Sequence, residues 1–234
     1  MKKGIGIALL LATLAIFPGY ATVDAMQNVM TSQVALRNSR QMFTLRGTDK
    51  KVYRVYILGE NERYGKNVPG WQKTKFDQLY VADGYYAYVE DLNSGVAVFQ
   101  STELFGKRKG YTESVNLTDP TYGGGFYVIR GMNGEPDILV SAMQMTGNGH
   151  VDYRFFVVKN GMLKQMKLLN SSKETFYRFV GHHKRPYMLD DGTIALPWFK
   201  RGQGSANPGG LFTSVYMTDF TNLILMFAYT YKEE

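Results

Sequence analysis

Three histidines and a scatter of carboxylates carry most of the acid–base chemistry this chain could do. His150 stands two positions before Asp152 in a strand-like stretch, which turns both side chains to one face and could make an acid–base couple or part of a metal site. A metal needs three or four converging ligands, and the other two histidines, His182 and His183, are neighbours that a strand would send to opposite faces. Surface histidines account for the pattern, and no metal site is expected. Glu90, Asp91, Glu103, Glu113, Asp119, Glu135 and Asp137 could supply a carboxylate pair for glycan hydrolysis, but the separation that defines that mechanism is not written in the sequence. There is no Gly-x-Ser-x-Gly elbow. The glycine-rich segments Gly123-Gly124-Gly125 and 202–210 lack the lysine and the following helix of a phosphate loop, so no cofactor is expected. With no cysteine in the chain, thiolate nucleophiles, Cys-ligated zinc and iron–sulfur clusters are excluded.

Binding chemistry is better represented. The formal charge of +7 is unevenly spread. It gathers in Lys107-Arg108-Lys109, in His182-His183-Lys184-Arg185 and in Lys200-Arg201, each beside Gly or Pro and so read as loop. Solvated loop charge is the plain explanation, since exposed Lys and Arg keep β proteins soluble. The alternative is contact with an anionic partner. Trp71 and Trp198, with Tyr80, Tyr85, Tyr86, Tyr88 and Tyr122, border Gly-rich turns, where aromatic faces can stack on sugar rings or fill partner pockets. The candidate ligand-binding residues are therefore Lys107, Arg108, Lys109, Lys184, Arg185, Lys200, Arg201, Trp71 and Trp198.

The elements that must position these residues begin after an export segment. Lys2 and Lys3 precede an apolar run from Ile5 to Phe17 that is short for a bilayer span, Pro18 and Gly19 end it, and Val23-Asp24-Ala25 offers a peptidase site. Residues 1–25 read as a signal peptide, which places the protein in the periplasm or outside the cell with no membrane-spanning segment after cleavage. Residues 26–48 are polar and mixed and read as a flexible arm. Residues 49–234 read as one β domain, rich in Tyr, Phe and Gly. Val52–Leu58 is a strand. Leu79–Ala82, Asp83-Gly84, Tyr85–Val89, the turn Asn93-Ser94-Gly95 and Val96–Phe99 read as a three-strand meander, with Asp-Gly as a tight hairpin turn. One face of Tyr85–Val89 must be core. Phe126–Ile129, Asp137–Ala142, Val151–Val158 and Met162–Leu169 follow as four successive strands with an Asn160-Gly161 turn, although the last could be a short helix. Thr175–Val180, Thr193–Leu196 after Asp191-Gly192, Leu211–Met217 and Leu223–Tyr231 complete the chain.

One stretch carries a family likeness. Asn133-Gly134-Glu135-Pro136-Asp137-Ile138-Leu139-Val140, with Gly149 and then Tyr153 to Asn160-Gly161, resembles a blade of the FG-GAP or VCBS-type β-propeller repeats, which serve in adhesion and ligand binding. The resemblance covers residues 126–161. In that family carboxylates in the turn bind calcium, whereas Ile129 and Gly131 stand upstream of Asn133 here, so no calcium site is implied.

The expected fold is all-β, with antiparallel meanders of about twelve strands forming a sandwich, a barrel or an incomplete propeller-like arrangement. The expected function is an exported, non-enzymatic binder of glycans or anionic envelope polymers; export argues against nucleic acid. Two alternatives stay open. One is an exported glycan hydrolase, and the other is an assembly subunit whose arm or terminal strand pairs with a protein partner's sheet edge.

Overall fold

The computed structural model describes residues 28–64, 79–92, 94–105, 113–116, 125–144, 150–182, 184–202 and 209–233. The export segment, Trp71 and Lys107-Arg108-Lys109 lie outside the described residues. The chain is mostly β, as expected.

The first sheet is built from β1 (Val29–Thr31), β2 (Gln41–Arg46), β3 (Val52–Glu60), β6 (Gly84–Asp91) and β7 (Val96–Gln100), in the order β1-β7-β6-β3-β2. One helix, α1 (Ser32–Asn38), interrupts it, capped by the Thr31 hydroxyl accepting from the Val34 N–H. A small side sheet joins β4 (Arg63–Tyr64), β5 (Leu79–Ala82) and β8 (Glu113–Asn116). The middle sheet is a sequential antiparallel meander of β9 (Gly125–Ile129), β10 (Ile138–Gln144), β11 (His150–Lys159) and β12 (Met162–Gln165), with β15 (Phe179–His182) taking over the β11 edge where β12 leaves it. The last sheet runs β14-β13-β19-β18-β17-β16, from β13 (Lys167–Leu169), β14 (Thr175–Phe176), β16 (Tyr187–Met188), β17 (Ile194–Arg201), β18 (Gly209–Asp219) and β19 (Ile224–Lys232). Its β13–β19 contact is parallel, and every other pairing is antiparallel. Among the described residues no sheet closes into a barrel.

The layers follow from side-chain alternation. On β11, Phe156 and Val158 face the first sheet, while Val151, Tyr153, Phe155 and Val157 face the last. On β10, Leu139 and Met143 face one way and Ile138, Val140 and Ala142 the other. The middle sheet is thus buried on both sides, and two cores share it.

Two expectations need correction. Residues 26–48 are not a flexible arm from Asn28 onward: β1 and β2 are the two edges of the first sheet, and α1 lies between them in sequence. α1 covers the outer face of that sheet, where Met30 and Ala35 pack on Tyr56, Leu58, Tyr88 and Ala97. The polar sequence misled because a seven-residue helix needs only one buried position, Ala35, to seat it. Consequently both faces of β6 are core, with Tyr85, Ala87 and Val89 on one side and Tyr88 on the other.

The second correction concerns Asp83-Gly84, which is not a hairpin turn. β5 pairs with β4 and β8, and β6 pairs with β3 and β7. The chain instead forms one long two-stranded ribbon that bends at Asn61 and Asp83, passing from the first sheet into the side sheet. Asn61 takes a left-handed φ of 49° and its Nδ2 donates to Asp83 Oδ2 at 2.9 Å across the corner. Glycine serves close approach here, since a Cβ on Gly59 would stand 2.9–3.0 Å from Glu62, Ala82 and Tyr85. Arg40 locks the outside of the bend by pairing with Glu62 and lying 3.6 Å over the Tyr80 ring.

Among the described residues nineteen strands stand where about twelve were expected, partly because long stretches are split. Met162–Leu169 is extended, not helical, and breaks at Met166 as it crosses from the middle sheet to the last. The turns at Ser94-Gly95, Asn160-Gly161 and Asp191-Gly192 join paired neighbours as expected, with positive φ at Gly95, Asn160, Gly161 and Gly192.

One buried carboxylate joins the first and middle sheets. Asp137 accepts from the N–H of Arg46 at 2.8 Å and of Gly131 at 3.0 Å, and Arg130 Nη1 reaches it at 2.9 Å. Arg130 is 64% exposed, so the ion pair itself is screened and adds little. Asp137→Ala strands two backbone donors and should cost about 2–4 kcal/mol, whereas Arg130→Ala should cost about 1 kcal/mol or less. Urea unfolding midpoints of the two variants measure the difference.

Candidate functional site

Four of the expected binding residues meet at one end of the last sheet. β17 and β18 pair in the register Trp198↔Phe212, Phe199↔Leu211, Lys200↔Gly210 and Arg201↔Gly209. β18 and β19 then pair Phe212↔Lys232, Thr213↔Tyr231 and Ser214↔Thr230. Directly opposed residues share a face. One face therefore carries Trp198, Phe212, Lys200, Lys232, Ser214 and Thr230.

On that face Trp198 and Phe212 are stacked, with ring centres 5.0 Å apart and planes inclined by 23°. The indole N–H donates to Ser214 Oγ at 3.0 Å, and Ser214 Oγ is 2.8 Å from Thr230 Oγ1, so a chain of hydroxyls across three strands fixes the ring. Both rings are half-buried, and Lys200 and Lys232 flank them as exposed cations. Gly209 and Gly210 take φ of 72° and 142°. A Cβ on Gly210 would meet the Lys232 side chain at 2.9 Å, so the glycine keeps the path of that lysine open.

The opposite face holds Phe199, which is exposed, and Arg201, with His182 6.0 Å from the Phe199 ring. Lys184 reaches around from the β15–β16 connection to Glu233 at 2.7 Å and lies 5.8 Å over the Tyr187 ring. Thr213 Oγ1 donates to the other Glu233 oxygen. Burial would raise the Glu233 carboxyl, but the bonds from Lys184 and Thr213 outweigh it and hold the group below its ordinary value.

Arg185 behaves differently from its neighbour. Its guanidinium lies 4.9 Å over the Tyr127 ring in the half-buried margin of the second core, and Tyr127 donates toward the Pro186 carbonyl at 3.4 Å. Burial pushes the Tyr127 phenol well above its ordinary range. Arg185 is thus placed to seat the β15–β16 connection from which Lys184 extends. Phe212, Lys232 and Glu233 were not anticipated. Phe212 was within reach, because counting outward from the glycine-rich loop sets it opposite Trp198.

The histidines also come together in a way the sequence hid. β11 and β15 pair His150 directly with His182, and Asp152 shares their face. Asp152 is buried and bonded by Arg178 Nη1 at 3.0 Å, so its charge is matched by an arginine.

Among the carboxylates, Glu90 is buried and accepts from Ser32 Oγ at 2.8 Å and from the Tyr56 hydroxyl, with Arg54 3.6 Å away. Asp91 lines an open groove of about 640 Å³ between the first and middle sheets, with Asp49, Lys51, Tyr53, Val96 and Asn160. Lys51 Nζ stands 3.5 Å from Asp91, and Tyr53 donates to Asp49 at 2.6 Å. Burial would raise Asp49 slightly, yet the Tyr53 hydroxyl and the Lys51 N–H hold it below the ordinary carboxylate range. Asp49 is therefore ionised at neutral pH and cannot serve there as a general acid.

Because the folded-state pKa of Glu233 is depressed, its contribution to stability is present above the ordinary value of 4.5 and is lost as pH falls through the lowered one. Glu233→Gln should lower the melting temperature at pH 7, and the gap from the unsubstituted protein should close in acid; thermal melts at pH 7 and at about pH 3 check this. A scan against models of known protein families finds no significant match to the chain, and searches of curated proteins and of solved structures find none.

Proposed function

We propose that the protein is exported and holds an anionic glycan or envelope polymer at the open end of its last sheet. The observation that carries this reading is the stacked Trp198–Phe212 pair with Lys200 and Lys232 on its own face, at a sheet end whose opposite face carries Arg201 and Lys184. Half-buried stacked rings suit the apolar side of a sugar ring, and flexible lysines beside them suit carboxylate or sulfate groups at variable spacing. Against four cations in this region stands Glu233, whose charge is already shared by Lys184 and Thr213. The local field is positive, which draws an anionic chain from a distance and holds it in a salt-dependent way.

The N-terminal segment supports export: a short basic start, a thirteen-residue apolar run and a small-residue exit are what a signal peptidase substrate contains. Among the described residues no helix is long and apolar enough to cross a membrane.

The test is binding of the purified protein to uronate-bearing, sulfated and neutral glycans at two salt concentrations, with every bound glycan checked by mass for cleavage. Affinity for the anionic glycans should fall with salt. Lys200→Ala with Arg201→Ala should weaken it about tenfold and flatten the salt dependence, and Trp198→Ala should weaken it about three- to tenfold at either salt. Affinity indifferent to all three substitutions would remove this site, and a cleaved product would replace binding by hydrolysis.

A further inference from the structure

Strand β19 is covered on one side only for part of its length. β13 pairs with it over Ile224–Met226 and no further, while β18 follows its other side to Lys232. From Ala228 to Lys232 every residue is exposed, and among the described residues no strand lies along the outer side. The Glu233 N–H donates to the Leu211 carbonyl, so alternation along the ladder makes Thr213 and Tyr231 the next hydrogen-bonded pair. The N–H and C=O of Thr230 and Lys232 therefore point away from the sheet. Such an edge templates another strand unless charge, proline or a covering loop blunts it. Ala228-Tyr229-Thr230-Tyr231-Lys232 carries one lysine and no proline, and Tyr and Thr favour strands.

We propose that this edge is where a second copy of the chain docks, the two β19 strands pairing antiparallel about a twofold axis at Thr230 to join the two last sheets into one. The segment is self-complementary in that register. Thr230 meets Thr230 of the second copy, and each Tyr229 meets a Tyr231 in a non-hydrogen-bonded pair, where side chains approach most closely. Lys232 falls opposite Ala228, so no like charges are opposed, whereas a register centred on Lys232 would bring two lysines together. A contact of this kind is isologous and closes at two copies. The axis stands perpendicular to the sheet, so both Trp198–Phe212 pairs end on the same side of the joined sheet. The pairing itself does not depend on what those rings bind.

Sedimentation velocity of the purified protein between about 1 and 100 µM should show a monomer–dimer equilibrium. Position 228 tests the register. Ala228→Lys sets two new lysines against Lys232 and should raise the dimer dissociation constant about tenfold, while Ala228→Glu should lower it severalfold, both effects shrinking in high salt. Thr230→Pro removes an N–H that the monomer does not use in its ladder and should abolish the dimer, with circular dichroism confirming a retained fold. A protein that stays monomeric at about 100 µM overturns the proposal and leaves the edge to a foreign extended segment. A dimer indifferent to charge at 228 also overturns it, by placing the contact elsewhere.

Discussion

The rest of the structure depends on a middle sheet with no face left for water. Once β10 and β11 bury alternate side chains in opposite directions, the first and last sheets must both be present for either strand to be stable. Any polar group on these strands must then find a partner inside the protein. Ser141, fully buried on β10, donates to the Leu104 carbonyl at 2.6 Å and so draws the segment after β7 against the sheet. Tyr153 on β11 donates to the His182 carbonyl at 2.7 Å, tying the strand to its late-arriving neighbour β15. The same demand that excludes water therefore fixes where irregular segments run.

Buried charge obeys one arrangement throughout. Glu90, Asp137 and Asp152 are nearly inaccessible, and each is reached by an arginine, Arg54, Arg130 and Arg178, whose side chain is 42%, 64% and 48% exposed. The carboxylate is held by the interior, while the cation keeps much of its hydration, which avoids the desolvation of two charges at once. These acids sit where elements join: Glu90 between α1 and the first sheet, Asp137 between the first and middle sheets, and Asp152 beside β15. They are joints of the fold, which removes Glu90 and Asp137 from the pool of acids free to do chemistry.

What the sequence made legible was local. Asn160-Gly161 and Asp191-Gly192 each close a hairpin because two or three residues with left-handed freedom suffice to reverse a strand, and that information is contiguous. Asp83-Gly84 has the same composition, but its glycine serves a corner between sheets, and nothing within ten residues distinguishes a ribbon that turns back from one that bends. The burial of the second face of β6 was hidden for a related reason. Alternation shows that Tyr85 and Tyr88 lie on opposite sides, yet whether the second side is wet depends on α1, fifty residues earlier. At the candidate site, Lys200, Arg201 and Trp198 were visible as residue types beside a glycine-rich loop. Lys232 and the His150–His182 pairing were not, since Lys232 reaches Trp198 only through two successive strand pairings and His150 meets His182 across a chain segment of about thirty residues.

The order of the layers also explains why binding chemistry collects on the last sheet. The outer face of the first sheet is covered by α1, and both faces of the middle sheet are core, so long aromatic side chains there are consumed by packing. The last sheet extends past the middle one, so Trp198 and Phe212 lie on the core-facing side of the sheet but past the residues that fill the core. Ile194 and Leu196 on the same strand are fully buried, and exposure sets in from Trp198 onward to Arg201. A side chain at that boundary is positioned by the rigidity of the buried strand and yet remains half open to solvent. That combination, a ring fixed at its indole N–H by the Ser214 and Thr230 hydroxyls and left half open to solvent, comes from the overhang of one sheet past another.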